Sequence, residues 1–306
     1  MKQYIYRFRT IFSLIAVAIV GGFFVVRAGI AQNASSSQTL EISPPSQEVK
    51  VDPGQTVKIK AKIRNRSANT ISVTARIEDF TASGEGGQVA LIEKGPYAIS
   101  SWTVIDQPTF NLKTGETKEI TGTAKVPSGL AGGRYGSFVF AVGGGQAGAG
   151  SAAVSQEVAS LFLLRISGPV SEVLSADEFT LPSFVEFGPV PMTVKFSNKG
   201  NVHVRPNGLI NVRNMFGKTA ADVVFKGDNV FPGASRTQTV SLDKTWLFGP
   251  YTAQAVLTYG SKNESLTITS TFFAFPLRIA VVIGIVGAVL YSMRKRLKKA
   301  LKALVG

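Results

Sequence analysis

The segment from Thr56 to Asn65 alternates cationic and apolar side chains with a period of two. This period is typical of a half-buried β-strand, whose neighbouring side chains point to opposite faces. One face then carries a row of positive charge, which suits an anionic cell-wall polymer if the segment lies outside a cell. The alternative is that the lysines protect an exposed sheet edge from pairing with other chains. The four cations are Lys58, Lys60, Lys62 and Arg64.

Two tryptophans are further candidates for ligand contact. Trp102 stands in the segment Ile99 to Val104, and Trp246 precedes an apolar stretch that ends at Tyr251. An indole ring can stack on a sugar or anchor a protein partner. The alternative for each is packing in the core of a β-sandwich. We group Trp102 with the four cations as the predicted ligand-binding residues.

Residue types that perform catalysis are scarce. Cysteine is absent, which excludes thiol catalysis, thiolate metal ligands and disulfides. The only histidine, His203, cannot build a His-based metal site, and its alternating context favours a solvated or packed side chain over a base. Adjacent carboxylates, as at Glu78 and Asp79, point to opposite faces of a strand and form poor catalytic pairs. We therefore expect a non-enzymatic protein without a cofactor or metal.

A glycine-rich run, Gly143 to Gly150, resembles a phosphate-binding loop in composition alone. Such a loop must open a helix after a strand, whereas strand patterns flank this run on both sides. Glycine supplies conformational freedom, so the run predicts a hairpin tip.

The elements that position these residues lie between two apolar segments. The run from Phe272 to Met293 would reach roughly 33 Å as a helix, enough to cross a bilayer. Six cations and no acid follow in residues 294–306, so the positive-inside rule predicts a basic cytoplasmic tail and an extracellular remainder. Arg278, inside the run, can extend its charge toward the lipid headgroups.

The N-terminus also predicts export. Residues 1–31 combine a basic start, an apolar stretch from Ile11 to Val26 and a small-x-small sequence at Gly29 to Ala31, which together indicate a cleaved signal peptide. An uncleaved anchor is the alternative, because Arg27 lies between the apolar stretch and the cleavage sequence. Both versions place the middle of the chain outside the cell.

The net charge of +14 would by itself suggest a nucleic-acid partner. Ten of the cations lie in the two terminal segments, however, and the 19 acids all lie between Glu41 and Glu264, where they nearly balance the remaining cations. We therefore expect no nucleic-acid partner.

Strand patterns dominate the exported part, and turn residues separate them at a spacing typical of β-sandwiches. One series of signals occurs twice. Asn65 and Asn198 each end a strand pattern, Gly115 and Gly233 each open a polar strand, and Gly133 and Gly249 each open an apolar strand. The prediction is an all-β fold of two tandem immunoglobulin-like β-sandwich domains, at residues 39–167 and 172–271, with the second beside the membrane-spanning helix at residues 272–293.

The first half also resembles a known family in its motifs. Three segments resemble the first domain of WxL-interacting proteins from Gram-positive bacterial surfaces, where a "PGQ" strand, an "N.S" turn and a "P…GG" strand recur in that order. They are Val51 to Thr56 leading into Ile63 to Asn65, then Leu112 to Glu116, then Val126 to Gly136. The overall layout is similar as well, as expected for a distant branch. The resemblance implies that the first domain binds peptidoglycan or a surface protein and that the second binds a further protein. It assigns no role to individual residues.

These observations predict a single-pass membrane protein whose extracellular sandwiches tether peptidoglycan, another cell-wall polymer or a surface protein. The alternative is a structural or accessory subunit of an exported complex, such as a secretion or pilus assembly, which docks by strand addition. A surface hydrolase ranks last because the constellations for nucleophile, base and metal are missing.

Overall fold

The computed structural model describes residues 40–142 and 156–305, and for residues 295–305 it describes the backbone alone. The predicted signal peptide, residues 1–31, and the glycine-rich run lie outside the described residues. Within them the chain forms eighteen strands, a short 3-10 turn at Ser100–Trp102 and one helix.

The first sandwich contains ten strands in two sheets. One sheet has the order β1-β3-β8-β6; the other has the order β2-β10-β9-β4-β5, with β7 also paired to β4. The strands are β1 Leu40–Ser43, β2 Ser46–Val51, β3 Thr56–Asn65, β4 Ile71–Ser83, β5 Gln88–Ile92, β6 Thr103–Ile105, β7 Thr109–Leu112, β8 Thr117–Lys125, β9 Gly132–Val142 and β10 Gln156–Ile166.

The N-terminal edge of this sandwich changes sheets. β1 pairs antiparallel with β3, and after Pro44 and Pro45 the chain crosses over so that β2 pairs parallel with β10. Proline has no N–H to donate to a ladder, so the two prolines separate the short strands. β1 therefore pairs with only part of β3, and β2 pairs with only part of β10.

The second sandwich contains eight strands, in a three-stranded sheet of order β11-β13-β16 and a five-stranded sheet of order β12-β18-β17-β14-β15. Two tandem β-sandwiches confirm the predicted fold class. The strands are β11 Leu174–Thr180, β12 Phe184–Val185, β13 Val190–Asn198, β14 Asn207–Asn214, β15 Thr219–Lys226, β16 Ser235–Leu242, β17 Gly249–Tyr259 and β18 Glu264–Ala274.

Alternating side chains fill one apolar core in each sandwich. In β3 the inward set, Ile59, Ala61 and Ile63, is at most 1% exposed. In the second sandwich the inward residues of β13 and β17, among them Val194 and Ala255, are likewise buried in the core. The two cores draw on residues 40–166 and 174–274 respectively. The limits of the two domains remain a prediction.

The predicted internal repeat has a structural basis in a buried asparagine. The Asn65 side chain donates to the carbonyls of Asn69 and Leu112 at 2.7 and 2.9 Å. Asn198 donates in the same way to Val202 and Val230, both at 2.8 Å. Each asparagine's own carbonyl accepts from a glycine N–H, that of Gly115 in one sandwich and of Gly233 in the other. The same side chain therefore ties corresponding turns in both sandwiches.

One helix, α1 Leu277–Val305, follows β18 after two residues, and its first 18 residues are long and apolar enough to cross a membrane. The predicted start of this helix at Phe272 was wrong. Phe272 and Ala274 are buried in the second sandwich, because they alternate inward along β18 and complete its ladder with β17. An apolar run cannot distinguish a buried strand end from the start of a helix that follows it directly.

Candidate binding surfaces

The four predicted cations lie together on the outer face of the four-stranded sheet in the first sandwich. Lys58, Lys60 and Lys62 are exposed, and Arg64 is half-buried. Lys125, opposite Thr56 on β8, lies on the same face. We call these five residues and the sheet surface between them the cationic face.

Two carboxylates share the cationic face, and both are already paired. Glu119 lies 2.6 Å from Nζ of Lys60, and this hydrogen bond lowers the pKa of Glu119. Glu41 pairs with Arg66. Lys58, Lys62 and Lys125 form no ion pair within the described part of the chain. The face therefore keeps an excess of accessible positive charge.

The alternative interpretation, that these lysines guard a sheet edge, is wrong for half of the strand. β3 is paired with β8 along almost its whole length, and with β1 from Lys62 to Asn65. The part from Thr56 to Ala61 has no β1 partner, although the side-chain amide of Gln47 donates a hydrogen bond to the Lys60 carbonyl at 2.9 Å. Edge protection can thus apply to Lys58 and Lys60, but not to Lys62 or Arg64.

A shallow cleft of about 170 Å³ opens at the β1 end of the cationic face. Lys62 and Arg64 line it together with Glu41, Ser43 and Thr117. Nε of Arg64 is buried there and has no hydrogen-bond partner among the described residues. A buried N–H that lacks an acceptor is costly, so this atom would gain from a ligand oxygen.

Trp102 does not share the cationic face. It ends the 3-10 turn before β6, is half-buried and packs against the first core. The buried Asp79 carboxylate holds this turn by accepting from the N–H groups of Ile99 and Ser100 at 2.7 and 2.8 Å. This position agrees with the packing alternative for Trp102, and its role in binding a ligand remains a prediction.

A junction between the sandwiches brings together residues that the sequence did not mark as a site. Tyr135 of the first sandwich contacts Phe231 of the second, with ring centroids 4.9 Å apart, and Phe231 also meets Phe80 at 5.5 Å. The Tyr135 hydroxyl accepts from the backbone N–H of His203 at 2.8 Å and lies 3.2 Å from Nδ1 of the same histidine. Burial raises the pKa of Tyr135, which therefore stays a neutral phenol.

His203 is 3% exposed. Of the solvated and the packed position that the sequence left open for this side chain, the structure shows the packed one. Its Nε2 lies 3.3 Å from Oε1 of Glu48 without the alignment of a full hydrogen bond. This contact and, more weakly, the charges of Arg165 and Arg205 lower the pKa of Glu48, against the effect of burial. No signal in the sequence paired Glu48 with a histidine 155 positions away, because the contact depends on how two domains meet.

These groups line a polar cleft of about 240 Å³ at the junction. Arg165 and Glu172 form an ion pair on its wall, and Glu172 also accepts from the N–H and hydroxyl of Ser261 at 2.7 and 2.6 Å. Two carboxylates and two arginines line the cleft, so their charges compensate one another. In residues 40–142 and 156–305, no three His, Asp or Glu side chains converge as a metal site would require.

The fold and its surfaces define the chain as a protein of two immunoglobulin-like β-sandwiches with an apolar C-terminal helix. No protein-family model matches the sequence, and no curated protein does. Solved structures with a similar fold include the class 5 fimbriae chaperone CfaA, at 12% identity and a TM-score of 0.42 over 76% of this chain and 98% of that one.

Two other solved structures show the same kind of likeness. The CsuC–CsuE chaperone–tip adhesion subunit pre-assembly complex of Acinetobacter baumannii matches at 11% identity and a TM-score of 0.38, over 78% of this chain and 99% of that one. The E. coli chaperone DraB matches at 10% identity and a TM-score of 0.36, over 76% and 96%. At these identities the likeness concerns the fold alone.

Proposed function

We propose that this protein is a membrane-anchored extracellular tether whose first sandwich holds an anionic polymer of the cell surface, with the wall as the source of that polymer. The observation that carries the proposal is the cationic face. Alternate residues on a strand are about 6.6 Å apart, so Lys58 to Lys62 extends over roughly 13 Å. A flat, regular array of this kind suits a polymer with repeated negative charges better than a compact ligand.

The position of the cationic face supports the same proposal. α1 follows β18 directly, and β17 and β18 run from the helix end of the second sandwich to the junction. Eleven residues of strand extend about 36 Å, so the second sandwich would hold the first up to that far from the lipid. The basic residues 294–302 orient the anchor with its C-terminus in the cytoplasm.

The test is binding of the full chain, in lipid nanodiscs, to cell-wall sacculi with and without their attached anionic polymers. The double variant Lys58→Gln, Lys62→Gln should weaken binding roughly 2- to 30-fold, because each exposed charge contact contributes about 0.2–1 kcal/mol. Wild-type binding should also fall with added salt, and the variant should show a flatter salt dependence.

A matched control removes the same charge elsewhere. Lys199 and Lys226 are exposed on the second sandwich and form no ion pair within the described residues, so Lys199→Gln, Lys226→Gln should bind like the wild type. Equal loss in both double variants would mean that only overall charge matters. Unchanged binding by Lys58→Gln, Lys62→Gln would reject the cationic face, and with it the polymer tether.

A second candidate function, docking of an exported protein by strand addition, has its own observation. β2 covers β10 from Leu161 to Ile166, and the preceding residues, Gln156 to Ser160, pair with β9 alone among the described strands. The Leu161 N–H points to the β2 side, where it donates to Pro45 at 3.0 Å. Alternation then directs the Ala159 N–H to the same open side.

This candidate can be tested by removing one N–H. Ala159→Pro should keep the β9 ladder and abolish co-purification of exported subunits with the full chain, because proline has no donor for an added strand. Ala159→Thr is the control, since threonine suits a strand and keeps the donor. Equal recovery of subunits by the two variants would argue against docking at this edge.

A further inference from the structure

The exposed aromatic rings of the sandwiches gather at one place. Every exposed phenylalanine and tryptophan among residues 40–142 and 156–294 lies at the end of the second sandwich from which α1 leaves. Their exposed fractions range from 44% to 76%. We call these five residues the aromatic collar: Phe184, Phe216, Trp246, Phe248 and Phe273.

The collar is held in place by packing and is continuous with the start of α1. Phe248 meets Phe275, two residues before the helix, with ring centroids 5.2 Å apart. Trp246 stands edge-on to Phe187 at 5.4 Å, and Phe184 stacks on Phe273 at 6.2 Å. Four of the rings therefore form a supported apolar surface beside the start of α1. Phe216 extends this surface from the turn between β14 and β15.

The helix itself is short for the bilayer. Between Arg278 and Arg294 the helix has 15 uncharged residues, about 23 Å, whereas the hydrocarbon layer is about 30 Å thick. Arg278, the second residue of α1, is 83% exposed in its side chain and lies 3.3 Å from Glu186, on the loop before β13. A charge in this position belongs among the headgroups, which brings the loops of the collar to the level of the membrane surface.

We propose that the aromatic collar lies in the outer interface of the bilayer that α1 spans, so that the second sandwich rests on the lipid. Aromatic rings are enriched at that level, and they would cover the few ångströms of apolar layer that the short helix leaves unmatched. Lys218 and Lys244, exposed beside Phe216 and Trp246, would face the lipid phosphates. This inference rests on the membrane anchorage in the proposed function. It also sets the orientation of the first sandwich relative to the membrane.

The chain's two tryptophans make the test direct. The full chain is reconstituted in vesicles whose acyl chains carry bromine near the headgroup, because bromine quenches only nearby indoles. Trp102→Phe leaves Trp246 as the sole tryptophan, and Trp246→Phe leaves Trp102 in the first sandwich. We expect fluorescence in brominated relative to unbrominated vesicles to fall at least twofold for Trp246 and to stay unchanged for Trp102.

A second pair of variants tests the collar as a surface. Phe216→Ser, Phe248→Ser should weaken the quenching of Trp246, and both side chains are exposed, at 76% and 67%, so the fold should tolerate the change. Val104→Ser, on the first sandwich at 72% exposure, is the control. Retention in vesicles after alkaline carbonate washing is measured in parallel, so that anchorage is scored independently.

Three outcomes would overturn the inference. Unquenched Trp246 in protein that resists carbonate would show that the collar lies away from the lipid although the anchor is in the membrane. A second copy of this chain or a protein partner would then cover the collar. Quenching of both tryptophans would show that the whole ectodomain lies on the membrane. Release of the protein by carbonate would show that α1 does not anchor it in the membrane. That outcome would reject both the proposed tether and the proposed position of the collar.

Discussion

At the scale of single residues, Glu172 connects three parts of the molecule. It lies in the link between the sandwiches, pairs with Arg165 at the end of β10, and accepts two hydrogen bonds from Ser261 in the turn between β17 and β18. Burial alone would raise its pKa, but the Ser261 hydrogen bonds and the Arg165 charge outweigh burial and lower it from the ordinary value of 4.5.

The lowered pKa predicts acid sensitivity of the junction. A carboxylate whose folded pKa is depressed stabilises the fold above its unfolded pKa, and this stabilisation is lost as the pH falls through the folded value. Glu172→Gln should therefore lower the melting temperature at pH 7, with a loss of about 1.5–3 kcal/mol, and should flatten the fall in stability below about pH 4.5. Calorimetric melting of the full chain across pH 3–7 measures both effects.

Glu119→Gln is the matched control for this carboxylate, because Glu119 pairs with Lys60 on the open cationic face. Exposed pairs contribute little to stability, so its melting profile should follow the wild type. A Glu172→Gln profile that overlays the wild type at every pH would show that the junction does not depend on this charge.

At the scale of elements, the start of β9 decides how closely the sandwiches meet. Gly132 has a φ of +85°, and a Cβ built on it would lie 2.6 Å from the backbone oxygen of Asn201 in the second sandwich. The next residue, Gly133, donates its N–H to that same oxygen at 2.8 Å. Glycine at position 132 thus serves both the turn before β9 and the contact between domains.

A pair of glycine substitutions separates these two effects. Gly129 has nearly the same φ, +87°, but no atom lies within 4 Å of its virtual Cβ. Gly129→Ala should cost about 1 kcal/mol of backbone strain, and Gly132→Ala should cost about 1–3 kcal/mol more, because it also forces the backbones apart. Chemical denaturation of the two variants supplies the difference. Equal losses would mean that the close approach at Asn201 relaxes without cost.

At the scale of the whole molecule, the two sandwiches share more than a linker. Both sandwiches belong to one compact unit of the chain. Phe231 brings the second sandwich into a small apolar cluster of the first, and Lys195 on β13 pairs with Glu85 in the turn between β4 and β5 at 2.5 Å. A force acting on the first sandwich would therefore be transmitted to the second.

This coupling predicts an effect across the junction. Phe231→Ala removes the ring contacts with Phe80 and Tyr135, and each such aromatic pair contributes about 0.5–1.5 kcal/mol. Hydrogen exchange at the amides of Phe80, Tyr135 and Leu163 should become roughly 5- to 150-fold faster, although the substitution lies in the other sandwich. Phe184→Ala, at the far end of the second sandwich, should leave these amides unchanged. Exchange confined to the second sandwich would reject the coupling.

Much of this architecture could be predicted from local patterns. The alternation from Thr56 to Asn65 set both the bounds of β3 and the direction of its four cations, because a strand sends neighbouring side chains to opposite faces. The repeated turn signals at Asn65 and Asn198 indicated two similar sandwiches, since each asparagine bonds a carbonyl four residues later, in the turn that follows it. Such features depend on residues near one another in the chain.

Other features were decided by tertiary structure alone. The end of β18 and the start of α1 form one apolar run, and only the ladder with β17 separates them at Ala274. The junction of Tyr135 with His203, and the gathering of Phe184, Phe216 and Trp246 into a collar, join residues from separate turns and sheets. Local periodicity reports which face a side chain takes, whereas these contacts depend on how completed elements pack, and that information is spread over the whole chain.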